Sequence, residues 1–574
     1  MIFGWRSTDS DSEDTIASLR SNNPQLIGTW KVIETTPLEL ASELDVLSKH
    51  KESVIIARIY ADYFLSTFVE YFSDVLQFRA TKAAAIINIK DGLAGIFGIV
   101  GALLMDVYFT NYGMIFLSSI FYTIGLGLVT YGDNTKGVTR EELVLTGLFL
   151  CAIGKFSLRN SSDGLAEEKN EENKRQYNPF ISLMKMVLGS DTKISKIFES
   201  HEYTFQLTII KYGTKILVIG VSTIANYRLS ETPVAEKWDE VKFLIPTIGF
   251  GLVPFLSLFY IKSFAKPIEE RGTPLKHVAR VYVAAILKRN IPSSHTMENL
   301  LYEENTQHPL KHTTGMRFLD KAAIIESTQP EEERRQWRLC TITEVEETKC
   351  LLHMVPMCMT FLAYGMVKSI GNTFFLQQGN YMDSTMGRLN IDLPLQTLLL
   401  LSDISSSGMK GFYVLILSNK LTGIGKKYGS PLKYGIGLVL ATFCCTVAAW
   451  IAKDKGATDT VFWLTPQYIL FGAMSGITRD GIEGFFHDQL PRSMMRYDSV
   501  FTDAMIGAGA MLSIVLVYAT GSNLALNHLS RFYRLLTVVS FIILSVYTFV
   551  ATRFRYQDNE EALANEENQV QAAG

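Results

Sequence analysis

FLDKAAI at residues 318–324 and WRLCTITEVEETK at 337–349 stand inside a polar, basic insert that spans residues 272–352. The insert opens with GTPLKHVARVYVAAILKRN at 272–290 and is flanked by two strongly apolar halves. A helix that crosses a bilayer needs about 20 predominantly apolar residues. The insert offers no such run, so it belongs in water and divides the chain into two membrane-embedded bundles. Its basic residues include Lys276, Arg280, Arg289, Lys321 and Arg334. Excess Lys and Arg marks the cytosolic side of a membrane protein, so the insert is read as cytosolic.

Before the insert, apolar runs predict spans at 54–75, 89–108, 112–131, 143–158, 205–225 and 241–261. After it they predict spans at 351–371, 395–417, 434–452, 465–485, 501–520 and 535–551. The expected fold is an all-α membrane protein, with twelve transmembrane helices in two six-helix bundles. Both termini then lie in the cytosol. Residues 1–50 form an N-terminal cytosolic segment, 51–262 the first bundle, 263–350 the cytosolic linker and 351–553 the second bundle. The acidic tail, 554–574, reads as disordered. Within the linker, His277–Leu287 alternates apolar and basic residues at helical spacing. That pattern predicts an amphipathic helix along the membrane surface or against a bundle.

Composition agrees. Of 574 residues, 48% are hydrophobic and 19% charged, and the mean hydropathy of +0.15 averages apolar spans with hydrophilic loops. A net charge of -3 gives no reason to expect nucleic acid as a partner. The six cysteines contain no CxxC pair and no histidines stand at zinc spacing, so neither a metal site nor a disulfide framework is expected. The polar, acidic start of the chain argues against a cleaved signal peptide. The sequence has no nucleophile elbow and no phosphate loop, so neither an enzyme nor a bound cofactor is expected. His353 and His487 read as packing or headgroup residues.

Several ordered blocks make the reading more specific: Gly272-Thr-Pro-Leu275, Leu300-Leu-Tyr-Glu303, the two blocks quoted first, Val355-Pro356, Thr373-Phe-Phe-Leu-Gln-Gln-Gly379 with Met382-Asp383, Pro466-Gln-Tyr468, and Phe485-Phe-His-Asp-Gln-Leu-Pro491. In these the chain resembles the plant branch of the proton-dependent oligopeptide transporter family, the nitrate/peptide transporters. The resemblance implies a major facilitator fold with a solute site at the midplane, between the halves. It also implies secondary active transport by alternating access. The cargo would be a small anionic or zwitterionic solute such as nitrate, a peptide, a hormone or another metabolite, with protons as a second cargo. The lipid bilayer is the other partner, with the plasma membrane placed ahead of the tonoplast. Two alternatives stand beside this: a uniporter or exporter of the same family without proton coupling, and a non-transporting membrane receptor or scaffold.

The departures from the family pattern fall where the chemistry is expected. The family's Glu-x-x-Glu-Arg falls on Ile59-Tyr60-Ala61-Asp62-Tyr63, so one carboxylate is kept, as Asp62. Arg58 lies one turn before Asp62 on the same face, which allows either a local ion pair or a rebuilt proton or solute site. At the end of span four, Arg159 takes the family's lysine position, one turn after Lys155. It is expected either to snorkel to headgroups or to pair with Asp62. In span seven, Lys368 falls on a cavity-facing position that the family commonly fills with Tyr or His. It either lines the pocket or snorkels outward. Span ten carries Arg479, Asp480 and Glu483, where the family often has a glutamate at the position of Gly484. Arg479 and Asp480 are candidates for solute binding, while Glu483 joins Asp62 as a candidate for proton coupling. A local Arg479–Glu483 pair is the alternative. Asp106 (in a signature-like Gly101–Asp106), Asp403 and Lys410 seven apart in span eight, and Phe485 are gating or structural candidates.

Overall fold

The computed structural model describes residues 78–107, 111–133, 140–154, 212–217, 219–220, 274–290, 315–325, 337–385, 394–414, 428–454, 459–520 and 526–554, with residues 66, 68, 72, 76, 302, 313, 334 and 556 individually. The fold is helical. Among the described residues are α1 (Ala80–Val107), α2 (Asn111–Asp133), α3 (140–154), α4 (Pro274–Leu287), α5 (Ile342–Asn380), α6 (Gln396–Phe412), α7 (Gly429–Asp454), α8 (Thr465–Gln489), α9 (Asp498–Ala519) and α10 (Leu526–Arg553). Residues 212–217 are also helical. Five segments among them are long and apolar enough to cross a membrane: Ala80–Leu104, Ile342–Asn380, Gly429–Asp454, Arg492–Ala519 and Leu529–Arg553.

The blocks of the polar insert meet in space. Val281, Ala284 and Ala285 of α4 pack on Leu319, Ala322 and Ala323 of FLDKAAI and on Cys340 and Val345 of the second block. The opposite side of α4 exposes Tyr282, Val283, Ile286 and Leu287. Backbone bonds stitch the pieces: Cys340 N–H donates to the Ala322 carbonyl at 3.0 Å, and Ile342 N–H to Tyr302 at 3.1 Å. Charges are paired as they are buried. Lys349, 6% exposed, reaches Asp320 at 2.6 Å and Glu346 at 2.7 Å. Glu344 gathers Arg280 at 3.3 Å and His277 and Arg334 at 3.7 Å. Burial holds His277 below its usual range; Glu344 opposes this, and Arg280, Arg334 and Lys276 reinforce it. Burial, with Glu344 nearby, pushes the Cys340 thiol up to about 12.

Thr341 and Glu344 form a capping box, which opens α5 at Ile342 instead of at the expected residue 351. The 39-residue helix rises about 58 Å at ~1.5 Å per residue, well beyond the ~30 Å of hydrocarbon. The helix is therefore longer than a bilayer core is thick, and its first turns pack with α4 and FLDKAAI. At the far end, Asp383 pairs with Thr460 and exchanges backbone bonds with Asp459 and Val461. The Thr385 amide and hydroxyl hold the Asp383 carboxylate below its usual range.

Among the later helices, α7 packs on α8 and α10, and α8 on α6. Phe361 touches Tyr434 at 4.8 Å and Phe485 at 5.2 Å between ring centres, while the Tyr434 hydroxyl donates to the Thr360 carbonyl at 2.5 Å. Tyr434 thus keeps a hydrogen-bonded tip inside an apolar ring cluster.

Candidate functional site

In α8 the stretch TRDGIEG, 478–484, interrupts an apolar helix. Helical spacing puts Arg479 and Glu483 on one side and turns Asp480 about 100° away. The structure follows this geometry. Arg479 Nη2 lies 3.9 Å from Glu483 Oε1, while its Nη1 lies 2.9 Å from Asp503 Oδ1 on α9. The Arg479 and Asp503 side chains are 13% and 11% exposed. Asp480 faces the other way and pairs with Lys433 of α7 at 2.6 Å. Lys433 in turn lies 5.0 Å over the Tyr413 ring.

Helix α5 joins this group. The Tyr364 hydroxyl donates to the Ser475 carbonyl, one turn before Arg479, at 3.2 Å. Lys368 Nζ stands 5.6 Å from the Tyr364 ring centre, within range of a cation–π contact. Helices α5, α8 and α9 therefore bring Tyr364, Lys368, Ser475, Arg479, Glu483 and Asp503 to one region. Losing one partner of a well-buried ion pair costs about 3–5 kcal/mol, because the remaining charge is stranded. The Arg479–Asp503 pair thus ties α8 to α9.

Asp403 of α6 pairs with Lys215, and its carbonyl accepts from the Tyr212 hydroxyl at 2.6 Å. Tyr212 also meets Ser407. Lys410 is exposed, two turns farther along α6. Phe485 is 1% exposed and packs against Phe361, Phe486 and Phe554. Asp106 belongs to the last turn of α1, but its side chain lies outside the described residues. Arg58, Ile59, Asp62, Tyr63, Lys155 and Arg159 lie outside them as well.

Sequence reasoning missed Asp503 and Lys215. Both carried a usable signal, since each is an ionisable residue inside an expected span and therefore a functional candidate by default. Their partners could not be read, because a 100° helical period fixes the face of one helix and says nothing about which helix it meets.

The family profile PTR2, the POT family, matches residues 228–532. Two relatives from Arabidopsis thaliana, Protein NRT1/PTR FAMILY 5.5 and 5.4, are each 26% identical to this chain. The first alignment covers 86% of this chain and 94% of the relative, the second 89% and 96%. Among solved structures, an auto-inhibited POT family peptide transporter superposes with a TM-score of 0.62 at 14% identity, covering 89% of this chain and 97% of that one. A POT family transporter in complex with 5-aminolevulinic acid gives 0.54 at 12% identity, covering 89% and 96%.

Proposed function

The chain belongs to the POT family, whose members are integral, multi-pass membrane transporters and not enzymes, and from that premise we propose a particular mode of transport. The protein moves a small anionic or zwitterionic solute by alternating access, one six-helix half rocking against the other around a midplane site. The C-terminal wall of that site is the cluster of Tyr364, Lys368, Arg479, Glu483 and Asp503. The opposite wall is assigned to Arg58, Asp62 and Arg159 from their sequence positions. The observation that carries the reading is the buried Arg479–Asp503 pair with Lys368 and Glu483 beside it, where α5, α8 and α9 converge. An ionisable group inside a span is expensive and is kept where it lines a solute or proton path. Related structures hold compatible ligands: one is in complex with sulfate, another with 5-aminolevulinic acid. Asp62 carries the coupling proton in this reading, and the plasma membrane is its site of action.

Replacement of the family's first Glu and its Arg by Ile59 and Tyr63 favours a second reading, uniport without proton coupling. Uptake of a nitrate and dipeptide panel by expressing cells, at two external pH values, decides between them. A symporter concentrates its solute under an inward proton gradient. A uniporter only equilibrates it. Binding without any accumulation would overturn both transport readings in favour of a receptor.

A further inference from the structure

Two buried polar atoms on one side of α8 make no hydrogen bond: Ser475 Oγ and Arg479 Nη2. They stand four residues apart, one above the other on the same helix face. Native interiors leave few such atoms without a hydrogen bond; Ser475 Oγ has none, and Arg479 Nη2 has only the Glu483 carboxylate at 3.9 Å, an ion-pair contact beyond hydrogen-bond reach. Here one is a hydroxyl and the other part of a cation, and both can donate. The Tyr364 hydroxyl already donates to the Ser475 carbonyl, so the backbone at this turn is held between α5 and α8. Asp503 occupies Arg479 Nη1 at 2.9 Å. Because the guanidinium is planar and rigid, fixing Nη1 also fixes the direction of Nη2.

We propose that Ser475 and Arg479 form a subsite for an oxyanion group of the solute, a carboxylate or its equivalent, with Asp503 as the positioning residue. The oxyanion accepts from Ser475 Oγ and Arg479 Nη2, while Asp503 keeps Nη1 and holds the fork in place. This rests on the reading of the cluster as the solute site. It adds Ser475 as a direct contact and gives Asp503 a role that is not charge burial alone. It also sets a charge preference. Among the described residues here, Lys368 and Arg479 are cations and Glu483 and Asp503 are acids, so the wall is balanced. A lone anion unbalances it, whereas a solute that carries its own ammonium does not.

The test uses the full chain, purified in detergent, with alanylalanine, its C-terminal amide and its N-acetyl form as probes. Binding is read by thermal stabilisation and transport by uptake in proteoliposomes. Alanylalanine is expected to bind more tightly than the amide, which lacks the oxyanion, and than the N-acetyl form, which lacks the ammonium. Ser475→Ala should weaken alanylalanine by about tenfold, as for a hydrogen bond to a charged group, and leave the amide unchanged. Asp503→Asn should shift preference toward the N-acetyl form, and Asp503→Glu should restore the original order, a change that loss of structure alone does not produce. Where Arg479→Gln lowers the amount of folded protein, the double variant Arg479→Gln with Asp503→Asn removes both charges together and should bind acid and amide equally. The inference is overturned if the wild type binds the amide as well as the acid, if no carboxylate probe stabilises it, or if Ser475→Ala changes nothing. Binding that follows these rules without accumulation would remove the transport reading and leave the subsite standing.

Discussion

Two seams among the described helices, α1 with α9 and residues 212–217 with α6, are built on different physics. Between α1 and α9 the contact is made by small residues. A Cβ added to Gly95 would lie 2.6 Å from the Asp503 carbonyl oxygen, and one added to Gly507 would lie 2.9 Å from that of Gly92. A buried Asn88–Ser513 hydrogen bond of 2.9 Å is the polar link there. Between residues 212–217 and α6 the contact is ionic and hydroxylic: Lys215 on Asp403, and Tyr212 on Ser407 and on the Asp403 carbonyl. Gly213 in that second seam has nothing within 4 Å of an added Cβ. A surface of close backbone contacts can roll with gradual loss of dispersion. An ion pair is one discrete bond that is made or broken. The first seam therefore rests on shape and the second on charge.

The strongest way to break this contrast is to add bulk. Gly95→Leu should drive a side chain into the Asp503 backbone and disrupt the α1–α9 seam. Overpacking typically costs about 1–3 kcal/mol, and more where backbone is the obstacle. A fall in detergent melting temperature with loss of monodisperse protein is the expected result. Gly213→Ala, by contrast, should be neutral or slightly stabilising, since alanine favours helix by about 0.5–1 kcal/mol. Equal damage from both substitutions would remove the distinction between the seams.

Charge reversal tests the other side. Lys215→Glu alone places two acids together and should open the second seam, and Asp403→Lys alone should do the same with two cations. The double exchange should recover most of the loss. The side chains are 22% and 33% exposed, so the coupling sits below that of a fully buried pair, at roughly 1–3 kcal/mol. A double-mutant cycle on uptake rate and on melting temperature reads it. A coupling indistinguishable from zero would reduce Lys215–Asp403 to two neighbouring charges.

Sequence and structure agree most closely where local rules apply. The T-x-x-E box at 341–344 was visible in WRLCTITEVEETK, yet hydropathy placed span seven at 351, because a hydropathy window sees the bilayer and not the helix that runs out of it. Arg479 and Glu483 were legible as a pair from their spacing. The stronger partner, Asp503, lies on another helix and is reached only by tertiary packing. Asp403 shows the same limit: the spacing pointed along α6 to Lys410, while the chain placed Lys215 beside it. Periodicity fixes a residue's face, and the packing of one helix on another then chooses its partner.

The smallest expected effect comes from acid, and it must be separated from the seams before either is tested by pH. His277 of α4 lies in the polar insert, 28% exposed, with Glu344 at 3.7 Å. Burial lowers its folded pKa, so the unfolded chain binds the proton more readily than the folded one. The sign follows. The stability of the insert is full above the unfolded value of about 6.5 and is lost as pH falls from there toward the lower folded value. The loss ranks below the ion-pair effect, because Glu344 partly offsets burial and the ring keeps some water. Hydrogen exchange at the amides of α4, taken relative to the intrinsic rate at each pH, should quicken below about pH 6.5, with the α1–α9 amides unaffected on the same scale. His277→Gln, which keeps a polar side chain and cannot titrate, should flatten that response. Acid-quickened exchange that persists in His277→Gln would move the titrating group elsewhere in the insert. The same quickening across α1 and α9 would show that the glycine seam, too, answers to charge.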